Sequence, residues 1–314
     1  LPSYYWMDNK DYGRLNFEKA AWAKDAWIND IPEYTHLNWD RLYNVNWNNY
    51  DADGLRRSKY AVEERRVDQN DINLNASVKW MASKAFTLTG GVNYKWNRTE
   101  YYKKMDDLLG GDYYLNIDQF AERDFASSPT MVQNDLDYFL EFGEAKSLKE
   151  GDKYGYDYYA HVRNANLWAN GALDLGGFKA NLALEAGYAK FWREGLVRKG
   201  LFAGLDENGN EMMYEGKVLT TYDAKTGKAI TSKGNSEIAD FLTYSAKLGL
   251  QYHFEGGHRI YANGAYFNDA PTFAQSFISP RTRNSMVPNL TTVKTASADI
   301  NYQYSNNGYN FRIT

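Results

Sequence analysis

Hydrophobic and polar positions alternate with period two in segment after segment of this chain. Over residues 86–97, Phe86, Leu88, Gly90, Val92, Tyr94 and Trp96 fall on one face of an extended strand, and Thr87, Thr89, Asn93, Lys95 and Asn97 fall on the other. Over 178–188 the apolar set is Phe178, Ala180, Leu182, Leu184, Ala186 and Tyr188, opposed by Lys179, Asn181 and Glu185. Over 244–254 it is Tyr244, Ala246, Leu248, Leu250, Tyr252 and Phe254, opposed by Ser245, Lys247, Gln251 and His253. Each apolar face begins and ends on an aromatic and runs 11 residues. Ten rises of about 3.4 Å, tilted by about 45°, give a band roughly 24 Å tall, the height of the lipid-facing belt of an outer-membrane barrel with an aromatic girdle at each rim. A soluble sandwich also alternates, but nothing obliges its aromatics to fall at two fixed heights.

Shorter alternating runs at 72–80, 165–175, 260–266, 296–304 and 309–313 complete a set of eight strands. The predicted spans are 70–82, 85–103, 156–176, 178–197, 237–254, 258–269, 292–304 and 308–314, the first continuing upstream towards Ser58. Connections alternate as well. Tight Gly- and Asn-bearing or Ser-bearing turns are expected at 82–85, 175–178, 254–258 and 305–309, and long segments at 104–155, 198–236 and 269–291. Short turns at one end and long loops at the other predict periplasmic and extracellular ends respectively. Helical spacing at 14–28 and after Asn116 predicts helices, and 206–217 and 222–229 read as hairpin tips. Residues 1–56 read as an extracellular lead-in without apolar pattern for a core of their own, and 57–314 as a strand meander.

Composition narrows the class. Aromatic residues make up 16% of the 314 while the mean hydropathy is -0.68, a mixture a soluble core rarely needs. The net charge of -4, from 36 basic and 40 acidic residues, offers no footprint for nucleic acid. With no Cys, thiolate metal sites and Cys nucleophiles are excluded. No apolar run approaches the roughly 20 residues a membrane helix requires, a test that barrels pass unseen. The first residues lack a basic and then apolar leader, so an exported chain is expected to have been trimmed. The fold expected is thus all-β, an antiparallel transmembrane β-barrel in the outer membrane of a Gram-negative cell, in contact with outer-membrane lipid.

Candidate chemistry is sparse. His36, His161, His253 and His258 stand alone, without metal-ligand or catalytic spacing, and no paired carboxylates or nucleophile with base are recognisable. No enzyme, cofactor or metal is expected. Asp206, Asn208 and Asn210 resemble the start of a calcium loop but lack its Gly and closing Glu, so they read as a turn. Binding chemistry is better supplied. Asn164, Asn166 and Trp168 face the lumen on one strand with amides around an aromatic platform, and the loops bring Tyr113, Tyr114, Tyr154, Tyr156, Tyr158 and Tyr159 with the acceptors Asp152 and Asp157. Solute arrives at the long loops, so 104–155 and 198–236, with the lumen beneath, are the expected contact region for cargo.

The stretches "FNDAPTFAQSFISPRTRNSMVPNLTTVKTASADINYQY" (267–304) and "TLTGGVNYKWNRTEYYKKMDDLLGGDYYLNIDQFAERDF" (87–125), with the opening "LPSYYWMDN", resemble the barrel of a TonB-dependent receptor of the Bacteroidetes type. That resemblance implies a barrel of about 22 strands around an N-terminal plug, import of a bulky nutrient such as a glycan, peptide or metal chelate, the TonB complex as partner through the plug, and room for a surface lipoprotein. No plug or TonB-contact segment is recognised, so the eight strands are expected to be a partial barrel. The rival from another class is a small self-contained outer-membrane barrel with a structural or adhesive role. Against it, the run from Ser58 to Ala82 exceeds the 9 to 11 residues that a crossing requires.

Overall fold

The computed structural model describes residues 10–11, 14–15, 17–306 and 308–314. The opening residues that contribute to the family resemblance, and Asn307 in the last turn, lie outside the described residues. Among the described residues seven long strands and a short last one run β1 (Val62–Met81), β2 (Phe86–Asp107), β3 (Lys153–Asp174), β4 (Phe178–Gly195), β5 (Ala239–Phe254), β6 (His258–Asp269), β7 (Val293–Asn306) and β8 (Tyr309–Ile313). They pair in chain order from β1 to β8 as one antiparallel meander, with β1 and β8 at its open ends. Predicted and observed bounds agree to within about four residues except at the start of β1, which begins at Val62, within the stretch read as continuing towards Ser58.

The chain divides into two compact units. The first comprises the described part of 1–63 with 105–115 and 147–151, and the second comprises 64–104, 116–146 and 152–314. The first contains α1 (Phe17–Ile28), α2 (Pro32–Thr35) and α3 (Trp39–Trp47). Its buried apolar residues include Met105, Leu108, Leu109 and Leu148. Asn46, fully buried, organises this unit: its amide donates to the carbonyls of Tyr60, Leu108 and Leu109 and its carbonyl accepts from the backbone of Lys59 and Tyr60. One side chain thereby bonds five backbone groups of this unit. Trp47 lies against Gly110, whose φ is +81° and whose missing Cβ would fall 2.1 Å from the indole nitrogen, so only glycine fits both the backbone and the contact.

In the second unit the sheet places its apolar rows outward. Register aligns Leu88 with Gly171, Leu182, Leu248, Gly264 and Ala298, a row at mid-belt. One rim carries Phe178, Tyr252, Ile260 and Tyr302 in register, and the other carries Tyr94, Ala165, Tyr188 and Leu242. These rows are left open: Leu167 is 62%, Leu182 48% and Leu248 45% exposed. The tight connections, at 82–85, 175–177 and 255–257, lie at one end, and the three long ones at the other. Among the described residues, two buried clusters of the second unit lie at the long-loop end. Phe191, Ala239 and Phe277 pack with Val162, Phe241, Phe273 and Met286, so the 270–292 loop, with α6 (Phe273–Ser276), covers the polar face of β3, β4 and β5. Leu136, Phe139 and Ala203 pack with Leu140, Met212, Tyr214 and Leu219, joining α5 (Leu136–Phe142), the helix after α4 (Gln119–Phe125), to the 198–236 loop.

Candidate functional site

Strand β3 carries most of the candidate residues and divides them between two faces. Its even positions continue the lumen side and its odd positions continue the apolar belt. Tyr158 is on the lumen side. Its ring stacks on Tyr101 at 5.1 Å with planes 13° apart, and the Arg193 guanidinium lies over it at 4.8 Å. Tyr156 is 6.1 Å from Tyr158 and receives Arg281 at 5.4 Å, and Lys103 approaches Tyr154 and Tyr156 at 5.1 and 6.0 Å. The register shifts between Tyr102 and Lys103 and so sets Lys103 across from Tyr154. The result is an alternating stack of aromatic rings and cations, buried at Tyr156 and Tyr158 beneath the loops. Farther towards the belt follow Asn164, Asn166 and Trp168. Asn166 donates to Glu185 Oε1 at 2.6 Å, and the Trp168 indole lies against Gly91, where a Cβ would stand 2.9 Å from the ring. Only a residue without a side chain leaves room at Gly91 for this indole.

Asp157 and Tyr159 lie on the opposite face from Tyr156 and Tyr158, because one residue along a strand reverses the side chain. Asp157 pairs with Lys153 at 3.1 Å, Lys153 also pairs with Glu100, and Arg98 lies over Tyr159 at 4.7 Å. Burial pushes the Asp157 carboxyl up to about 6 while Lys153 pulls it down; this part of β3 lies beyond the aromatic rim. Asp152 is half-buried in the turn before β3. Tyr113 and Tyr114 belong to the first unit. The Tyr113 hydroxyl donates to Asp51 at 2.7 Å, and Tyr114 lies in a short pairing of 114–115 with 147–148. Nearby, Arg56 bonds both oxygens of Asp112, holding that carboxyl down at about 2.

The polar residues that shape the long-loop end were not among the expected set. Arg193, 1% exposed, donates to the carbonyls of Pro280 and Ser232 at 2.6 and 2.8 Å and to the Asn284 side chain. It thus ties β4 to the 232–236 segment and the 270–292 loop without a carboxylate of its own. Arg198 bonds Asp137 at 2.7 Å and the carbonyls of Ala203 and Leu205, and the Leu136 amide donates to the Arg198 carbonyl, so the 116–146 and 198–236 segments are one packed body. Lys199 donates to Asn134 at 2.6 Å and stands 3.7 Å from Asp118. Burial brings its ammonium down to about 8, with Asp118 acting the other way. Arg193, Arg198 and Lys199 are visible in sequence as cations where a strand ends, but nothing there announces burial. Asp206 behaves as the turn residue expected, accepting from the backbone of Asn208 and Asn210.

No family model and no curated protein matches the chain. Among solved structures it is similar to one described as "Copper transporter OprC", at 11% identity and a TM-score of 0.45, over 78% of this chain. The chain spans 29% of that structure's length.

Proposed function

We propose that the chain forms wall and extracellular loops of an outer-membrane β-barrel whose role is to receive and import a bulky nutrient, a glycan, peptide or metal chelate, in TonB-dependent fashion. The observation that carries the reading is the 11-residue apolar face, bracketed by aromatics and open along β2 to β5, opposite a face rich in Asn, Gln and Lys. A water-soluble protein that left such rows uncovered would aggregate, whereas lipid is their natural solvent. The TonB dependence, the Bacteroidetes-type affinity and a lipoprotein partner rest on the sequence resemblance alone. The TonB contact would be made by a plug domain.

Cargo recognition is assigned to the long-loop end. Asn164, Asn166 and Trp168 offer amides and a stacking surface to hydroxyl-rich or amide-rich solutes, and the joined 116–146 and 198–236 segments stand nearest to arriving solute. The tyrosines at 154, 156 and 158 set the floor that holds those loops. The rival reading, a self-contained barrel of structural or adhesive role, requires β1 and β8, the open ends of the sheet, to pair with each other.

The test is uptake of labelled oligosaccharide, peptide and metal chelate by cells carrying the complete gene, with and without a functional TonB. Uptake of one class that disappears with TonB supports the importer. Binding or adhesion without any TonB-dependent uptake favours the rival.

A further inference from the structure

On the lumen side of the long-loop end, cations outnumber the acids beside them. Arg193 and Lys199 are buried there, Lys103 stands over Tyr154 and Tyr156, and the 270–292 loop adds Arg281 and Arg283. Burial works against the Lys199 charge, Asp118 works for it, and Lys103 and Arg193 work against it, so like charges stand within one another's fields. Granting both Asp118 and Asp152 to this group leaves five basic side chains against two carboxylates. Asp137 is held by Arg198 and Lys233, and Asp157 lies on the opposite face with Lys153. Among the described residues neither Arg281 nor Arg283 has a carboxylate ion pair. Arg281 is exposed, yet its guanidinium is set 5.4 Å from the ring of Tyr156, itself 7% exposed, so it is positioned rather than loose. Arg283 lies over Phe202 at 5.2 Å, and its Nε is buried with no hydrogen-bond partner among the described residues. A buried charged donor without a protein acceptor is costly unless something else accepts from it.

A lone exposed arginine is ordinarily just solvated. Here two sit on one loop turn, in front of buried cations that the neighbouring acids do not balance, and such a concentration of one sign draws anions to it. We propose that Arg281 and Arg283 form the recognition site for an anionic group of the cargo, a carboxylate or a sulfate, and that the cargo is an acidic oligosaccharide. The planar guanidinium suits either oxyanion through paired hydrogen bonds. Arg193 and Lys199 add their field from beneath without touching the ligand, because both are covered. The loop that carries the two arginines also covers the polar face of β3, β4 and β5, so a sugar gripped there lies at the mouth, with the Asn164 and Asn166 amides and the Trp168 ring farther in along β3. That neighbourhood favours a saccharide over other acidic solutes. The inference rests on the importer reading given above and names its substrate class.

The test uses the complete receptor, purified in nonionic detergent, on an array of neutral, carboxylated and sulfated oligosaccharides, with tetraglutamate as the peptide control. Binding is expected for acidic sugars alone, to weaken with added salt, and to vanish when their carboxylates are reduced to alcohols or their sulfates removed; which treatment abolishes it tells the two anions apart. A charge-assisted hydrogen bond is worth about tenfold in affinity, so R281Q should bind the best acidic sugar about tenfold and R281Q/R283Q about 100-fold more weakly, with R281K recovering part of the loss because the charge stays and the fork goes. Protease resistance within 230–290 checks that the loop stays folded, and where the double variant loses it, R281Q alone, at an exposed side chain, carries the test. Binding confined to neutral sugars or to tetraglutamate, no binding of any acidic sugar, or unchanged affinity of the variants would each overturn the site. TonB-dependent uptake of another class of cargo would then leave the importer reading standing, whereas the absence of all TonB-dependent uptake would overturn both.

Discussion

The two halves of strand β3 hold their neighbours by different physics. From Ala165 to Asp174 its partners in β2 and β4 are met by an uninterrupted backbone ladder, small residues such as Gly171 lie across from Leu182, and the apolar side chains remain open. From Lys153 to Asn164 the strand is covered, and its burial is largely polar or aromatic: Tyr156, Asp157, Tyr158 and His161. In the first half the solvent completes the structure, and in the second the protein does so, through rings stacked on cations and through Arg193 of the neighbouring β4, which donates to loop carbonyls. Hence a substitution in the belt should be felt through lipid, and one at the loop end through lost hydrogen bonds.

The largest effect should come from placing a charge on the belt. Leu182→Arg or Leu248→Arg, cross-strand partners at mid-belt, is expected to cost about 2–4 kcal/mol and to impair assembly, whereas Asn181→Arg, on the polar face, should be tolerated. Heat-modifiable migration on gels reads this directly, and equal damage at 181 and 182 would abolish the distinction between the faces. Next in size is Arg193→Met. Leaving the carbonyls of Ser232 and Pro280 unpaired should cost about 2–3 kcal/mol. The loss should appear as protease sensitivity within 230–290 while the sheet stays heat-modifiable. A barrel that fails to assemble would show that the loop end is part of the same cooperative structure.

Smaller, but specific in sign, is the effect of Lys199. Its folded-state pKa, about 8, lies below the usual 10.5, so between those values the unfolded chain holds more protons and stability must rise with pH. Over pH 8 to 9.5 the gain should be about 1–2 kcal/mol at the loop end, and the parent-minus-variant difference for Lys199→Met, from denaturant-dependent proteolysis, isolates it. A flat or falling difference would mean that the ammonium is not buried in solution.

Strand placement was readable because a sheet with one open apolar face keeps period two: from Phe178 to Tyr188 the apolar residues fall on the open face and the polar ones on the other. The hairpin at 213–218 was equally plain, since Glu215 and Gly216, both at positive φ, are the turn that such a tip requires. What the alternation could not convey is which loop residues are buried. Tyr156 and Asp157 read as one group of cargo-facing aromatics and acceptors, yet as neighbours on a strand they fall on opposite faces, and β3 begins at Lys153, before the predicted 156, so Tyr154 too belongs to the strand. Helix α5 was missed although Asp135, accepting from the Tyr138 amide, and Gly143, at φ +76°, bracket it as start and stop signals. Helix α3 gave weaker notice: Asn44, Asn46 and Val45 are poor helix formers, and Asn46 is there for its five hydrogen bonds. Arg193, Arg198 and Lys199, set apart by Glu194 and the apolar pair Leu196 and Val197, read in sequence as solvated charges, and only tertiary structure reveals that they are covered.

The central claim, that the open apolar face meets lipid while its opposite meets water, is tested most directly by single-cysteine scanning through Phe178–Tyr188, a clean experiment because the chain has no native Cys. In vesicles, positions 180, 182, 184 and 186 should resist a water-soluble maleimide and be quenched, once labelled with a thiol-reactive fluorophore in detergent, by a lipid-borne quencher. Positions 179, 181, 183 and 185 should show the reverse. Two interleaved series out of phase by one residue are the result this account predicts, and uniform maleimide reactivity along the strand would contradict it.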